Sequence, residues 1–182
     1  MKEINSAKKS TGFQKILVAV DRTALAPIVF AQALEQARKK GVKLMIFHCL
    51  DLDVGGDVTP LIETGVGLDP VRGMNLRKIQ QQMMHEEITQ VTNSLEKYRQ
   101  QALEEGITTE SDYKIGEPGA WICDVARNWG ADLIVIGRRG RKVLSEILMG
   151  SVSNYVLHHA PCSVLIVQGT TPPREDKSKT HN

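Results

Sequence analysis

The sequence predicts an α/β fold, a five-stranded parallel sheet with helices on both faces, of the doubly wound, Rossmann-like type. Short apolar runs rich in β-branched residues, which are typical of strands buried on both faces, alternate along the chain with amphipathic helical patterns. Such alternation favours a parallel sheet, because parallel neighbours need crossover connections and helices supply them. The length of 182 residues suits one domain with a sizeable core.

The first half of the chain predicts a strand, a helix and a second strand. The first strand is the apolar run 16–20, and the helix covers 24–40 and ends at Gly41. The second strand is 44–50. The next segment, 51–78, contains five glycines and two prolines and is longer than a usual connection, so we interpret it as a mobile loop.

The second half of the chain begins with a long helix. Apolar residues recur at steps of three and four from Met84 to Ala102, which predicts an amphipathic helix over 79–105. The elements predicted after it are a strand at 108–115, a helix at 118–129, a strand at 132–136, a helix at 151–159 and a strand at 162–167. The polar ends predict a flexible N-terminal tail at 1–14 and a disordered C-terminal tail at 169–182, around a domain at 15–168.

A glycine pattern starts where the fourth predicted strand ends and closes where the last predicted helix begins. It consists of Gly137, Gly140 and Gly150, with Ser151 directly after the last glycine. Glycine permits positive φ and lets bulky oxygens approach the backbone, and a helix start offers N–H groups without internal partners. The pattern therefore favours a phosphate cradle. Turn glycines that serve only the connection are the alternative, because short glycine patterns also arise by chance.

Asp21 follows the first predicted strand, as the glycine pattern follows the fourth. In doubly wound sheets, ligands bind beyond the carboxyl ends of the strands, where the winding direction reverses. If strands one and four are neighbours, one crevice holds a carboxylate and a phosphate loop, which is the layout of a mononucleotide site. Asp21 would then accept hydrogen bonds from ribose hydroxyls or hold magnesium. Its alternative role is to cap the following helix.

Composition argues against several classes of partner. The net charge of +2, from 23 basic and 21 acidic residues, gives no strong field toward nucleic acid or membranes. Three Phe, three Tyr and two Trp provide few platforms for base stacking, so we expect no nucleic-acid partner. The three cysteines match neither a zinc spacing nor a disulfide framework. No segment resembles a signal peptide or a membrane span, so a cytoplasmic location without membrane contact is expected.

The sequence also lacks the usual signatures of catalysis. A Walker loop needs Lys before Ser or Thr, whereas Met149 precedes the Gly150–Ser151 pair here. No G-x-S-x-G elbow or Cys/His signature is present, so these absences favour a binding protein over an enzyme. The densest basic cluster is Arg138, Arg139, Arg141 and Lys142. Its cations would either attract a phosphate or lie on a solvated turn.

Six segments of the chain together resemble the universal stress protein family. They are the strand that ends in Asp21, the pair His48–Cys49, Gly116-x-Pro118, the run 131–137, the glycine spacing from Gly137 to Ser151, and the run 160–167. Each segment is generic, but their order and the nine-residue gap in the glycine pattern are specific. The resemblance covers about residues 15–167. It implies an adenine nucleotide alpha-hydrolase-like fold that binds ATP and forms a homodimer through the last strand, 162–167.

By position, the resemblance also implies a set of nucleotide contacts. Asp21 would be the ribose-side acid, and the main chains of Ala19, Val20 and Cys49 would contact adenine and sugar. The triphosphate would be held by Gly137, Gly140, Gly150, Ser151, Val152 and Ser153. Arg138 departs from the residues common at its position, and it would either add a charge-assisted bond to phosphate or crowd it. The expected cofactor is ATP, with or without Mg²⁺.

The sequence is compatible with three functions. The first is an ATP-binding, nucleotide-dependent regulator or sensor in the stress response, which acts on an unknown protein partner. The second is a slow ATP hydrolase or phosphotransferase that uses Asp21 with magnesium and Ser151 near the terminal phosphate. The third is a nucleotide-free interaction scaffold in which the glycines serve only the turn.

Overall fold

The structure is a computed structural model, and it describes residues 12–51, 70–138 and 149–169, without side-chain detail for 70–77. Strands and helices alternate through these residues. They are β1 (Lys15–Ala19), α1 (Ala26–Ala37), β2 (Lys43–Leu50), α2 (Pro70–Glu104), β3 (Thr108–Ile115), α3 (Pro118–Trp129), β4 (Leu133–Gly137), α4 (Ser151–His159) and β5 (Ser163–Val167).

The five strands form one parallel sheet in the order β3-β2-β1-β4-β5. β1 lies at the centre, where Val18 pairs with Ile46 of β2 on one side and with Val135 of β4 on the other. The chain winds outward from β1 to β3 and then returns to β4 and β5, so the winding reverses between β1 and β4. The predicted fold class is confirmed, and strands one and four, whose adjacency the sequence left open, are neighbours.

Helices cover both faces of the sheet, which explains the continuous apolar runs. Ile16, Leu17 and Val18 are each fully buried, and their side chains alternate between two cores. One core contains α1 and α2 residues, represented by Phe30 and Leu95. The other contains α3 and α4 residues, among them Ile122, Ala126 and Val156. A strand that packs on both faces has no side exposed to solvent, so polar and apolar residues do not alternate along its sequence.

The long helix α2 begins earlier than the sequence predicts. It starts at Pro70 rather than at residue 79, so the expected loop at 51–78 is wrong over 70–78. Proline is tolerated at a helix start, because the N–H that it lacks would have no partner there. Gly73 weakens a helix by about 1 kcal/mol, which is too little to end one that tertiary packing further along already holds. Residues 52–69 lie outside the described residues.

The N-terminal boundary also differs from the expectation. Phe13 packs against the α1–α2 core, and the Gln14 N–H donates to Oδ2 of Asp132 at 2.8 Å. The Lys43 N–H donates to the Gln14 carbonyl at 2.8 Å. Phe13 and Gln14 therefore belong to the packed domain and not to a tail at 1–14. Residues 1–11 and 170–182 lie outside the described part of the chain.

The remaining element bounds agree with the sequence to within a few residues. β3, α3 and α4 have the predicted bounds, whereas α1 is shorter than predicted because it ends at Ala37, before the turn at Gly41. Gly41 has a φ of 87°, which suits a glycine that ends a helical segment. Across 12–51, 70–138 and 149–169, no helix combines the length and the apolarity that a bilayer crossing requires.

Candidate functional site

A cavity of about 490 Å³ opens at the carboxyl edge of the sheet, where the winding reverses between β1 and β4. This volume is within the usual range of small-molecule sites. Nine of the predicted contact residues line it: Ala19, Val20, Asp21, Cys49, Gly137, Gly150, Ser151, Val152 and Ser153. Arg138 is described but is not among the lining residues, and Gly140 lies outside the described residues, as do Arg139, Arg141 and Lys142.

Further residues line the cavity that the sequence did not indicate. They are Thr23, Leu25, Ala26, Val29, Phe47, His48, Asp51, Pro118, Ile122 and Ile136. Asp51 follows β2 as Asp21 follows β1, so the rule that selected Asp21 would also have selected Asp51. Ile122 and Val29 reach the cavity from helix faces. Their apolar spacing indicates burial but does not indicate which buried residues border a void.

Asp21 closes the turn that leads from β1 into α1. Its Oδ1 accepts hydrogen bonds from the Thr23 N–H at 3.0 Å and from the Thr23 hydroxyl at 2.6 Å. The alternative role as a helix cap is wrong, because the N-cap position of α1 is Leu25 and no side chain caps it. Among the described contacts, none engages Oδ2 of Asp21, so this oxygen remains available to a ligand hydroxyl.

His48 and Val20 form the floor of the cavity. His48 is buried in β2, and its Nδ1 lies 2.8 Å from the Val20 carbonyl, so Nδ1 carries the proton in that bond. The Val20 N–H donates to the Phe47 carbonyl at 2.9 Å. The main-chain N–H of Val20 is therefore already used, and only the second lone pair of its carbonyl remains for a ligand. These hydrogen bonds hold Val20 and His48 in place in the ligand-free protein.

The Cys49 thiol takes no chemical part in the site. It is half-buried and donates to the Gly116 carbonyl at 3.4 Å. Burial, followed by the nearby charges of Asp51 and Glu117, raises the pKa of Cys49 to about 11. The thiol thus stays protonated at neutral pH, and a protonated thiol is a poor nucleophile. This agrees with the expectation that Cys49 would act through main-chain atoms.

The N-terminus of α4 supplies the donors of the cavity. Gly150 is the N-cap residue, and its own N–H donates to the Arg138 carbonyl at 3.0 Å. The next three N–H groups, of Ser151, Val152 and Ser153, have no acceptor within the part of the chain that the structure describes. Unpaired N–H groups at a helix start carry partial positive charge and attract anions. This end of the cavity therefore suits a phosphate.

The glycines of the pattern act differently from the expectation. In the described chain, positive φ occurs at Gly41, Gly106, Gly116 and Gly130, whereas Gly150 has a φ of −60°. A Cβ on Gly137 would lie 3.0 Å from Cδ2 of Leu25 and 3.3 Å from Cγ2 of Val29. At Gly137 the missing side chain thus makes room for α1. The expectation of positive φ is wrong for Gly137 and Gly150.

The charges of the cavity are arranged asymmetrically. The carboxylates of Asp21 and Asp51 follow β1 and β2, and the positive end of α4 lies beyond β4. A ligand with hydroxyl or amino donors at one end and an anion at the other would match both parts. Arg138 supports the anionic end through its main chain, since its N–H donates to the Val167 carbonyl at 2.8 Å and its carbonyl accepts from Gly150.

Comparison with known proteins decides the family. The model of the universal stress protein family matches residues 12–168. The chain belongs to this family. It is 43% identical over 160 residues to universal stress protein Sll1388 of Synechocystis, and the match covers 86% of this chain and 99% of that protein. The resemblance that the six segments indicated is thereby confirmed.

Solved structures of universal stress proteins share the fold. UspA of Lactobacillus plantarum superposes with a TM-score of 0.67 at 22% identity, over 87% of this chain and 99% of that one. The protein from Archaeoglobus fulgidus in complex with dAMP superposes with a TM-score of 0.55 at 27% identity, over 84% of this chain and 96% of that one. This chain therefore shares its α/β fold with solved members of the family.

Proposed function

We propose that this universal stress protein binds an adenine nucleotide, ATP by preference, in the cavity at the carboxyl edge of the sheet. The observation that carries the proposal is the free N-terminus of α4, which lies in the same cavity as the Asp21 carboxylate. The first group suits phosphates and the second suits ribose hydroxyls. The dAMP complex of the Archaeoglobus fulgidus relative supports the same ligand class.

The ligand's orientation follows from the donors and acceptors. The triphosphate lies against the N–H groups of Ser151, Val152 and Ser153, and magnesium, where present, enters with the phosphates. The sugar lies near Oδ2 of Asp21. The base lies over the floor formed by Val20 and His48. In this orientation every charged part of ATP meets a group of opposite sign or a free donor.

The described groups favour regulated binding over hydrolysis. The Cys49 thiol is protonated, and the Ser153 hydroxyl donates to main-chain carbonyls, at 2.7 Å for Arg138 and 3.0 Å for Gly150. Oδ1 of Asp21 is held by Thr23. Binding groups are thus positioned, whereas neither the Cys49 thiol nor the Ser153 hydroxyl is an activated nucleophile. We propose that nucleotide occupancy regulates the binding of a protein partner in the stress response.

We further propose that two copies associate through β5. This strand is at the edge of the sheet, and its sequence from Ser163 to Val167 contains no charged residue that would protect an open edge. A second copy pairing along 162–167 would cover it with a two-fold symmetric interface. Analytical ultracentrifugation of the purified protein should give a dimer, and a monomer at micromolar concentration would contradict this part of the proposal.

The test of nucleotide binding is a matched pair of substitutions at Ser151. Proline fits the first position of α4, because its fixed φ suits a helix start and Gly150, with φ −60° and ψ 152°, already has the conformation required before proline. Ser151→Pro therefore removes one N–H without disturbing the helix. Ser151→Ala removes the hydroxyl and keeps the N–H, so it is the control.

Isothermal titration should show weaker ATP binding for Ser151→Pro than for Ser151→Ala. A hydrogen bond to a charged group contributes about 1.5–3 kcal/mol, so the difference should be roughly 10- to 100-fold in Kd. Adenosine, which has no phosphate, should bind both variants equally. If the wild type neither releases a nucleotide on denaturation nor gains thermal stability with ATP, a scaffold function replaces the proposal. Phosphate release that tracks the protein and disappears in Asp21→Ala would favour a hydrolase.

A further inference from the structure

Ser153 has a buried hydroxyl that is fully engaged within the protein. The residue is only 2% exposed, and its Oγ lies 2.7 Å from the Arg138 carbonyl oxygen and 3.0 Å from the Gly150 carbonyl oxygen. Carbonyl oxygens only accept, so the single hydroxyl proton is shared between these two groups. As a donor, the hydroxyl is therefore not available to a phosphate, in contrast to the role that the family resemblance implies for Ser153.

Arg138 is the point on which these bonds converge. Its N–H donates to Val167 of β5 at 2.8 Å, and its carbonyl accepts both the Gly150 N–H at 3.0 Å and the Ser153 hydroxyl. The chain leaves this point at residue 139 and returns to it at Gly150. Three hydrogen bonds thus connect the end of β4, the edge strand β5 and the first turn of α4.

We propose that Ser153 is a positioning residue for the phosphate-binding N-terminus of α4, an inference that rests on the proposed nucleotide function. The Ser153 hydroxyl holds the N-cap residue Gly150 against Arg138. The N-cap in turn sets the direction of the free N–H groups of Ser151 and Val152. Because donors fixed in advance lose less freedom when a ligand binds, the hydroxyl increases affinity for phosphates without touching them.

The test compares Ser153→Ala with a matched variant elsewhere. Thr92 makes the same kind of bond, with its hydroxyl donating to the Ile88 carbonyl at 2.8 Å on the exposed side of α2. Thr92→Ala thus removes a hydroxyl-to-carbonyl hydrogen bond on an exposed helix surface that has no connection to the cavity. In Ser153→Ala the Gly150 N–H still reaches Arg138, so the variant retains part of the link and folds.

Two readouts separate positioning from the other roles. Titration should show that Ser153→Ala raises the Kd of ATP by about three- to tenfold while the Kd of adenosine is unchanged, and Thr92→Ala should alter neither. Hydrogen exchange of the ligand-free protein should show faster exchange of the Gly150 amide in Ser153→Ala, by about three- to tenfold. A general loss of stability would shift both ligands together and would not reproduce this pattern.

Several results would overturn the inference. Weaker ATP binding with unchanged Gly150 exchange would mean that the hydroxyl contacts phosphate directly. Unchanged ATP binding, or an equal loss for ATP and adenosine, would mean that Ser153 does not position the phosphate donors. If the wild type binds neither ligand, the proposed function fails, and the exchange of the ligand-free variant still shows separately whether the Ser153 hydroxyl holds Gly150.

Discussion

The contact between Gly119 of α3 and Tyr155 of α4 leaves no room for a side chain on the glycine. A Cβ on Gly119 would lie 2.8 Å from Cδ1, 2.9 Å from Cγ and 3.0 Å from Cβ of Tyr155. Two of these atoms are at the root of the tyrosine side chain, so a rotation of the ring does not relieve the overlap. Gly119→Ala should therefore push α3 and α4 apart.

The size of the effect follows from two opposing contributions. Overpacking in a close contact destabilises by about 1–3 kcal/mol. Alanine in place of glycine within a helix stabilises by about 1 kcal/mol at most. The steric contribution dominates, so Gly119→Ala should lose about 1 kcal/mol of unfolding free energy, which lowers the Tm by about 2–4 °C in a domain of this size. Urea denaturation followed by circular dichroism measures this change.

A Tyr155→Ala background provides the control for this prediction. Without the ring and its Cγ and Cδ1 atoms, most of the overlap disappears and the helix preference of alanine remains, so Gly119→Ala should stabilise that background by up to about 1 kcal/mol. The sign of the change should thus reverse between the two backgrounds. Equal effects in both backgrounds, or a stabilised single variant, would refute the steric reasoning.

Two further predictions concern the cavity. Because burial raises the pKa of Cys49 to about 11 from an ordinary value of 9.0, the stabilising contribution of its protonated thiol is complete below about pH 9. This contribution should disappear as the pH rises from 9 toward 11, and thermal melts of Cys49→Ala should show a smaller decline over that range than the wild type. Asp21→Asn keeps an oxygen for Thr23 but removes the charge, so its Tm should change by less than about 3 °C. Removal of this negative charge should not weaken the binding of iodide, which serves as a probe anion, and weaker iodide binding than in the wild type would contradict this.

Sequence patterns predicted most of the fold because clear signals mark most element ends. Gly116 and Pro118 separate β3 from α3, and Gly130, with a φ of 74°, ends α3. The start of α2 was missed for the opposite reason, since Pro70 and Gly73 are usual loop signals that a helix nonetheless accommodates at its first turn. Local composition does not distinguish a loop from a helix that tolerates such residues in its first turn.

The site was predictable where it depends on topology. Asp21 follows β1 and Ser151 begins the helix after β4, and the carboxyl ends of parallel strands share one edge of the sheet. The sequence therefore predicted that both residues lie at this edge, but the adjacency of β1 and β4, which brings them into one cavity, came from the structure. Thr23 and Ile122 reach the cavity through a turn hydrogen bond and through helix packing. The Ser153 hydroxyl bonds to the carbonyl of Arg138, 15 residues earlier in the chain, and no spacing rule indicates such a contact.

Gly137 illustrates how one position in a sequence signature can be constrained from inside the protein. Leu25 and Val29 occupy the space that a side chain on Gly137 would need, so a larger residue there would displace α1 whether or not a nucleotide is bound. A relative that does not bind a nucleotide would still need glycine at this position for helix packing. The Gly150–Ser151 step, which shapes the mouth of the anion site, is thus the more diagnostic half of the signature when new sequences are classified.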